Sequence, residues 1–121
     1  MPCSSSTVIQ LCTDASTYSA KATSIDVEST YGGGTPLKAP GVEYSVRCEV
    51  WDKSKSKWVE RGTRVYGTFY TRSATKKFPI SSLGLKKGSN SVRVIGNYTR
   101  TDNFNGTIYS SAQPAAFIVK R

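Results

Sequence analysis

Val42-Glu43-Tyr44-Ser45-Val46-Arg47-Cys48-Glu49-Val50-Trp51 decides the fold class of this chain. Val42, Tyr44, Val46, Cys48 and Val50 fall on one face of an extended backbone, and Glu43, Ser45, Arg47 and Glu49 on the other. Successive side chains of a strand point to opposite faces, so this period of two predicts a strand with one face on a core and one in water. The parity places Cys48 inside. It places Trp51 on the outer face, where an aromatic ring is free for other uses.

Working outward, Asp52-Lys53-Ser54-Lys55-Ser56-Lys57 reads as a solvated hairpin turn into a second long strand from Trp58 to Thr71. Gly62 and Gly67 interrupt that strand, and glycine inside a strand marks a bulge or bend. A regular strand there puts Val65 and Phe69 on one face and Tyr66 and Tyr70 on the other. Lys76-Lys77-Phe78-Pro79-Ile80 reads as a short edge strand, because proline cannot donate to a ladder. Leu83 and Leu85 sit in a turn where they can plug the end of a core. Ser91 to Thr99 alternates again, with Val92, Val94, Gly96 and Tyr98 opposed to Arg93, Ile95 and Asn97. Asn105-Gly106 is a tight-hairpin dipeptide, and 107–111 and 115–120 supply return strands.

The first forty residues carry weaker signals: strands over 7–12 and 20–27, then a glycine- and proline-rich connection between Glu28 and Gly41. No segment has helical apolar spacing over three turns, and no repeat is visible. About seven short strands with turn signals every ten residues or so predict an all-β fold, an antiparallel β-sandwich, with a small β-barrel as the alternative. The expected organisation is one domain over 1–121, residues 42–121 forming its core. Tyr44, Val46, Cys48, Val50, Val92 and Val94 are the expected core residues.

From Val42 onward the order of cues resembles the immunoglobulin and fibronectin-III style of module. A long strand ending in Trp51 precedes a charged hairpin and Trp58. Phe78-x-Ile80-x-x-Leu83 and Gly88 then precede Val92-Arg93-Val94, and a polar hairpin at Asp102–Gly106 precedes the last strand. Ser91 stands where the family places a tyrosine, so its tyrosine-corner hydrogen bond is missing or made elsewhere. Such modules are found in cell-surface and phage structural proteins as spacers or binders, and the resemblance implies a role of that kind.

Composition narrows the chemistry. The 121 residues hold 17 Lys and Arg against 8 Asp and Glu, a formal +9, and no histidine. Without histidine the Ser-His-Asp and Cys-His arrangements and the usual zinc-ligand sets are gone. Glu43 and Glu49 share a strand face but stand about 20 Å apart, too far for an acid–base pair. Gly32-Gly33-Gly34 lacks the Lys-Ser/Thr of a phosphate loop. No catalytic residue, metal site or cofactor is expected. No run approaches the length of a membrane span, so membrane insertion is not expected. Residues 1–6 lack the charged and apolar regions of a signal peptide.

The three cysteines, Cys3, Cys12 and Cys48, allow three pairings, and spacing alone does not choose among them; the pairing expected first is Cys3–Cys12, tying the N-terminal arm to the first strand. Such a bond suits an extracellular or virion surface. The basic residues carry the functional expectation: Lys53, Lys55 and Lys57 in one turn, Arg61 and Arg64 in the next strand, with Trp51, Trp58, Tyr66 and Tyr70 interleaved. Lys76-Lys77 and Lys86-Lys87 follow in later turns. Clustered cations among aromatic faces suit an anionic polysaccharide or single-stranded nucleic acid, or a protein partner. Turn lysines also keep edges soluble and unpaired. The expected function is therefore a non-enzymatic binding or adhesion module on a cell or virion surface. The alternatives are a self-assembling structural protein of a virion or appendage, and a nucleic-acid-binding β domain.

Overall fold

In a computed structural model, residues 2–4, 9–31, 42–69, 72–100 and 108–121 are described. Among these described residues, nine strands and one short 3-10 turn follow in order: β1 (Ile9–Thr13), β2 (Thr17–Tyr18), β3 (Ser24–Tyr31), β4 (Val42–Asp52), β5 (Lys57–Phe69), β6 (Lys76–Pro79), the turn Ile80–Leu83, β7 (Ser89–Arg100), β8 (Ile108–Ala112) and β9 (Phe117–Lys120). They make two sheets, β1-β3-β6 and β2-β9-β7-β4-β5, with β8 also paired to β7. The sheets stack as a sandwich and no barrel closes. β6 is an edge strand, as Pro79 requires. The two-residue β2, too short to carry a period, joins β9 in parallel.

Strand parity builds the core. Val42, Tyr44, Val46, Cys48 and Val50 of β4 face inward, beside Val92, Val94 and Tyr98 of β7 and Phe117 and Val119 of β9. Ile9, Leu11, Ile25, Val27 and Phe78 of the smaller sheet meet them, and Ile80 and Leu83 close one end. Each such valine contributes about 1.5 kcal/mol or more by leaving water. All six expected core residues are buried. Cys48 is a free thiol whose burial pushes its pKa up to about 12, so it is neutral and inert.

Some details differ from the sequence reading. β3 runs over Ser24–Tyr31 rather than 20–27: residues 20–23 are turn and coil, the strand continues past Glu28, and Ser29 becomes a fully buried strand residue. A hydroxyl at Ser29 breaks the apolar pattern that would have announced the strand. It is there for a partner: the hydroxyls of Ser29 and Tyr98 lie 2.9 Å apart, bonding one sheet to the other through the core. Ser91 has no ring to make a tyrosine corner, and the Tyr98 bond is instead a side-chain link between the sheets. Gly96 makes room for that ring, since a Cβ there would lie 2.4 Å from the Tyr98 hydroxyl.

Cys3 and Cys12 are joined by a disulfide. The arm pairs with β1 through Ser4 N–H to Leu11 O and Thr13 N–H to Pro2 O, both 2.9 Å. The expected Asn105-Gly106 hairpin and Tyr70 lie outside the described residues.

Candidate functional site

The site arises where two ladders part. β4 pairs with β7 as far as Val50 opposite Val92. Beyond that point β4 continues to Asp52 with β5 as its partner, while the start of β7 pairs with β9, Ser91 opposite Ile118. Between the β4–β5 hairpin and the β7–β9 pair lies a cleft of about 360 Å³. Val50, Trp51, Asp52 and Lys53 line one side and Ser89, Asn90, Ser91 and Ile118 the other, with Arg61, Gly84, Lys86 and Lys87 completing it.

Both walls are held by local polar chemistry. On the hairpin side, Asp52 Oδ1 accepts from Ser54 N–H at 2.9 Å, the Ser54 hydroxyl at 2.6 Å and Lys55 N–H at 3.2 Å. The Ser54 hydroxyl, with the two backbone N–H groups, holds the Asp52 carboxyl below its ordinary range. Ser56 takes φ +52°, turning the chain back into β5. On the other side the Asn90 side chain organises the loop. Its amide donates to Lys86 O at 2.8 Å and Val119 O at 3.2 Å, and its oxygen accepts from Lys86 N–H at 3.2 Å. Gly88, at φ +105°, exchanges two 2.8 Å backbone bonds with Arg121. Lys86 and Lys87 therefore project from a fixed loop.

Four cationic side chains, Lys53, Arg61, Lys86 and Lys87, line the cleft against one carboxylate, Asp52. Among the described residues none of the four has an ion-pair partner. That is a positively charged recess beside Trp51, which is 37% exposed.

The other basic and aromatic residues are arranged differently. Trp58 stands opposite Trp51 across the β4–β5 ladder, and the rings meet edge to face at 5.5 Å. The Arg93 guanidinium lies 4.4 Å from the Trp58 ring centroid, a cation–π contact. Arg93 also donates to Glu49 from Nε and Nη2, each at 2.7 Å, and Arg47 Nε reaches the same carboxylate at 3.1 Å. Burial raises the Glu49 pKa, but its bonds to Arg93 and Arg47 more than offset that and hold it below the usual range. Arg64 grips Glu60 with two bonds of 2.8 and 2.9 Å.

Arg61 and Arg64 were grouped by sequence and are separated by structure. Val46 pairs with Val65 and Cys48 with Arg61, so Gly62, Thr63 and Arg64 bulge opposite Arg47 alone. Gly62 permits this with φ +74°. Arg61 lands at the cleft, while Arg64 turns to Glu60. Of the expected site residues, Trp51, Lys53 and Arg61 come together in the cleft. Lys55 and Lys57 are exposed in and after the turn without lining it, and Trp58, Arg64 and Tyr66 lie along the β5 side of the sheet. Lys86 and Lys87 were legible as a basic turn but not as neighbours of Trp51, and Asn90 carried no signal.

Among the described residues, no group of His, Cys, Asp and Glu could hold a metal ion, and no helix is long and apolar enough to cross a membrane. The two stacked sheets, antiparallel except for the short β2, and their inward parity define an immunoglobulin-like β-sandwich. More narrowly, residues 3–120 match the family model of the YqgA MG2 macroglobulin domain, and the chain belongs to that family. Domains of this immunoglobulin-like kind are generally non-catalytic. No curated protein and no solved structure matches the chain.

Proposed function

We propose that this domain is a non-enzymatic binding module exposed on a cell or virion surface, and that its cleft engages an anionic polysaccharide. The observation that carries the reading is the set of four cations without ion-pair partners among the described residues, around a recess beside Trp51. Charges already satisfied inside a protein contribute little to a ligand, whereas unpaired ones attract it and can bond it. Trp51 also lines the recess, and tryptophan is the residue type that most often anchors an interface. The Cys3–Cys12 disulfide supports an oxidising compartment, as the surface location needs.

A sulfated heparin hexasaccharide and an oligothymidylate, each titrated at two salt concentrations, test this reading. The polysaccharide should bind the more tightly, with affinity falling steeply as salt rises. Trp51→Ala should weaken it by roughly tenfold. Tighter binding of the oligothymidylate would favour the nucleic-acid alternative, and binding of neither would end the proposal.

A further inference from the structure

The same sheet carries a second concavity of different chemistry. Above the ion-paired patch, two consecutive cross-strand rows face outward: Thr68, Glu43 and Thr99, then Tyr66, Ser45 and Asn97. These six side chains, with Tyr44 and Gly67, line an open groove of about 560 Å³. Its shape follows from the residues. Ser45 is short and central, so the middle strand dips between Tyr66 on one side and Asn97 on the other. Tyr66 is 65% exposed, the most exposed large hydrophobic side chain among the described residues.

Three observations point to one class of ligand. Glu43, Ser45, Thr68, Asn97 and Thr99 have no hydrogen-bond or ion-pair partner within the described chain, so a ring of acceptors, an amide and three hydroxyls stands unused. Strands lie about 4.8 Å apart and rows about 6.8 Å apart, so the grid spans roughly 10 by 7 Å, the size of one pyranose with its hydroxyls. Among the described residues, the groove is lined by no cation and by no ionisable group besides tyrosine other than Glu43, so a polyanion is repelled where the neighbouring cleft attracts it.

We propose that this groove binds one pyranose ring of a neutral polysaccharide. The C–H face of the sugar lies on the Tyr66 ring, which offers a large rigid apolar surface at low entropic cost. The sugar hydroxyls donate to the Glu43 carboxylate and exchange bonds with Asn97, Ser45, Thr68 and Thr99. Selectivity for uncharged sugar follows from the lone carboxylate. This site is independent of the basic cleft, and either can stand without the other.

Calorimetric titration of the full chain with cellohexaose, maltohexaose, mannohexaose and chitohexaose at millimolar concentration tests it. At least one should bind, with an affinity that changes little with salt. Tyr66→Ala should then lower affinity by roughly tenfold, while Tyr66→Phe, which keeps the stacking face, stays within about threefold. Ser45→Leu should abolish binding by filling the trough, with circular dichroism confirming an unchanged fold. Replacing Lys86 and Lys87 by glutamine should change nothing for these sugars. The proposal is overturned if all four hexasaccharides fail to bind. It is equally overturned if binding survives both Tyr66→Ala and Ser45→Leu.

Discussion

Two regions of the larger sheet hold the same kinds of residue in opposite states. Midway along the outer face, Arg47, Arg93 and Arg64 are each tied to Glu49 or Glu60, and Trp58 lies under Arg93 against Trp51. At the end where the β4–β7 ladder stops, Lys53, Arg61, Lys86 and Lys87 meet one carboxylate that is already held by its own turn. Both regions read as basic and aromatic in sequence. Satisfied charge makes the first a brace, and unsatisfied charge makes the second a recess suited to an anion. Cation density is therefore a poor guide to a binding site until the internal partners of each cation are known.

Changing members of the two regions should have separable consequences. The largest effect is expected at the cleft. Replacing Lys53, Arg61, Lys86 and Lys87 by glutamine together should lower affinity for the heparin hexasaccharide about 100-fold, equivalent to about 2.7 kcal/mol. The dependence on salt should flatten at the same time. Urea unfolding should move by less than about 0.5 kcal/mol, since none of the four braces the fold. A stability loss matching the affinity loss would erase the distinction between the regions.

Next comes the brace. Glu49→Gln leaves Arg47 and Arg93 without their carboxylate and should cost about 2 kcal/mol in urea unfolding, with polyanion binding unchanged. Because the folded state holds the Glu49 pKa below its ordinary value of 4.5, this carboxylate stabilises the protein above that pH. The contribution is lost as pH falls through the depressed folded value. The wild type should accordingly weaken on acidification below about pH 4.5, and Glu49→Gln should flatten that limb. An unchanged acid limb would mean that Glu49 does not brace the sheet.

Gly62→Ala should cost roughly 1–2 kcal/mol, because φ +74° is strained for any side chain and the new Cβ would lie 3.1 Å from Ser82 Oγ. If the bulge is what delivers Arg61 to the cleft, heparin affinity should fall as well. The smallest effect belongs to Arg64→Gln. Its pair with Glu60 is exposed, so both stability and affinity should move by less than about 0.5 kcal/mol. A larger loss of affinity there would put Arg64 back among the ligand-binding residues.

Much of the fold was legible because its decisive signal is local. The alternations from Val42 to Val50 and from Ser91 to Thr99 report burial directly, and so they placed β4, β7 and the inert Cys48 correctly. Pro79 marked an edge by lacking a donor, and Gly62 marked a bulge. Signals failed where a residue is explained by something distant. Ser29 looks like the start of a loop until Tyr98 is brought beside it from across the sandwich. Asn90 looks like an ordinary turn residue until Val119 and the Lys86 backbone surround it. The site was half legible for the same reason. Trp51 and Lys53 are close in the chain, but Lys86 and Lys87 join them only because β7 pairs with β4 as far as Val50 and Val92.

By itself, then, the sequence determined which residues face inward, that no histidine chemistry is available, and that cations outnumber carboxylates. These follow from parity and composition, which need no knowledge of distant contacts. Tertiary structure alone decided which cations are neutralised and which are not. Ion pairing depends on strand register, and register across β4, β5 and β7 is fixed jointly by a bulge at Gly62 and a ladder that stops at Val50 and Val92. A charge can be counted along the chain, but only the folded sheet determines what stands beside it.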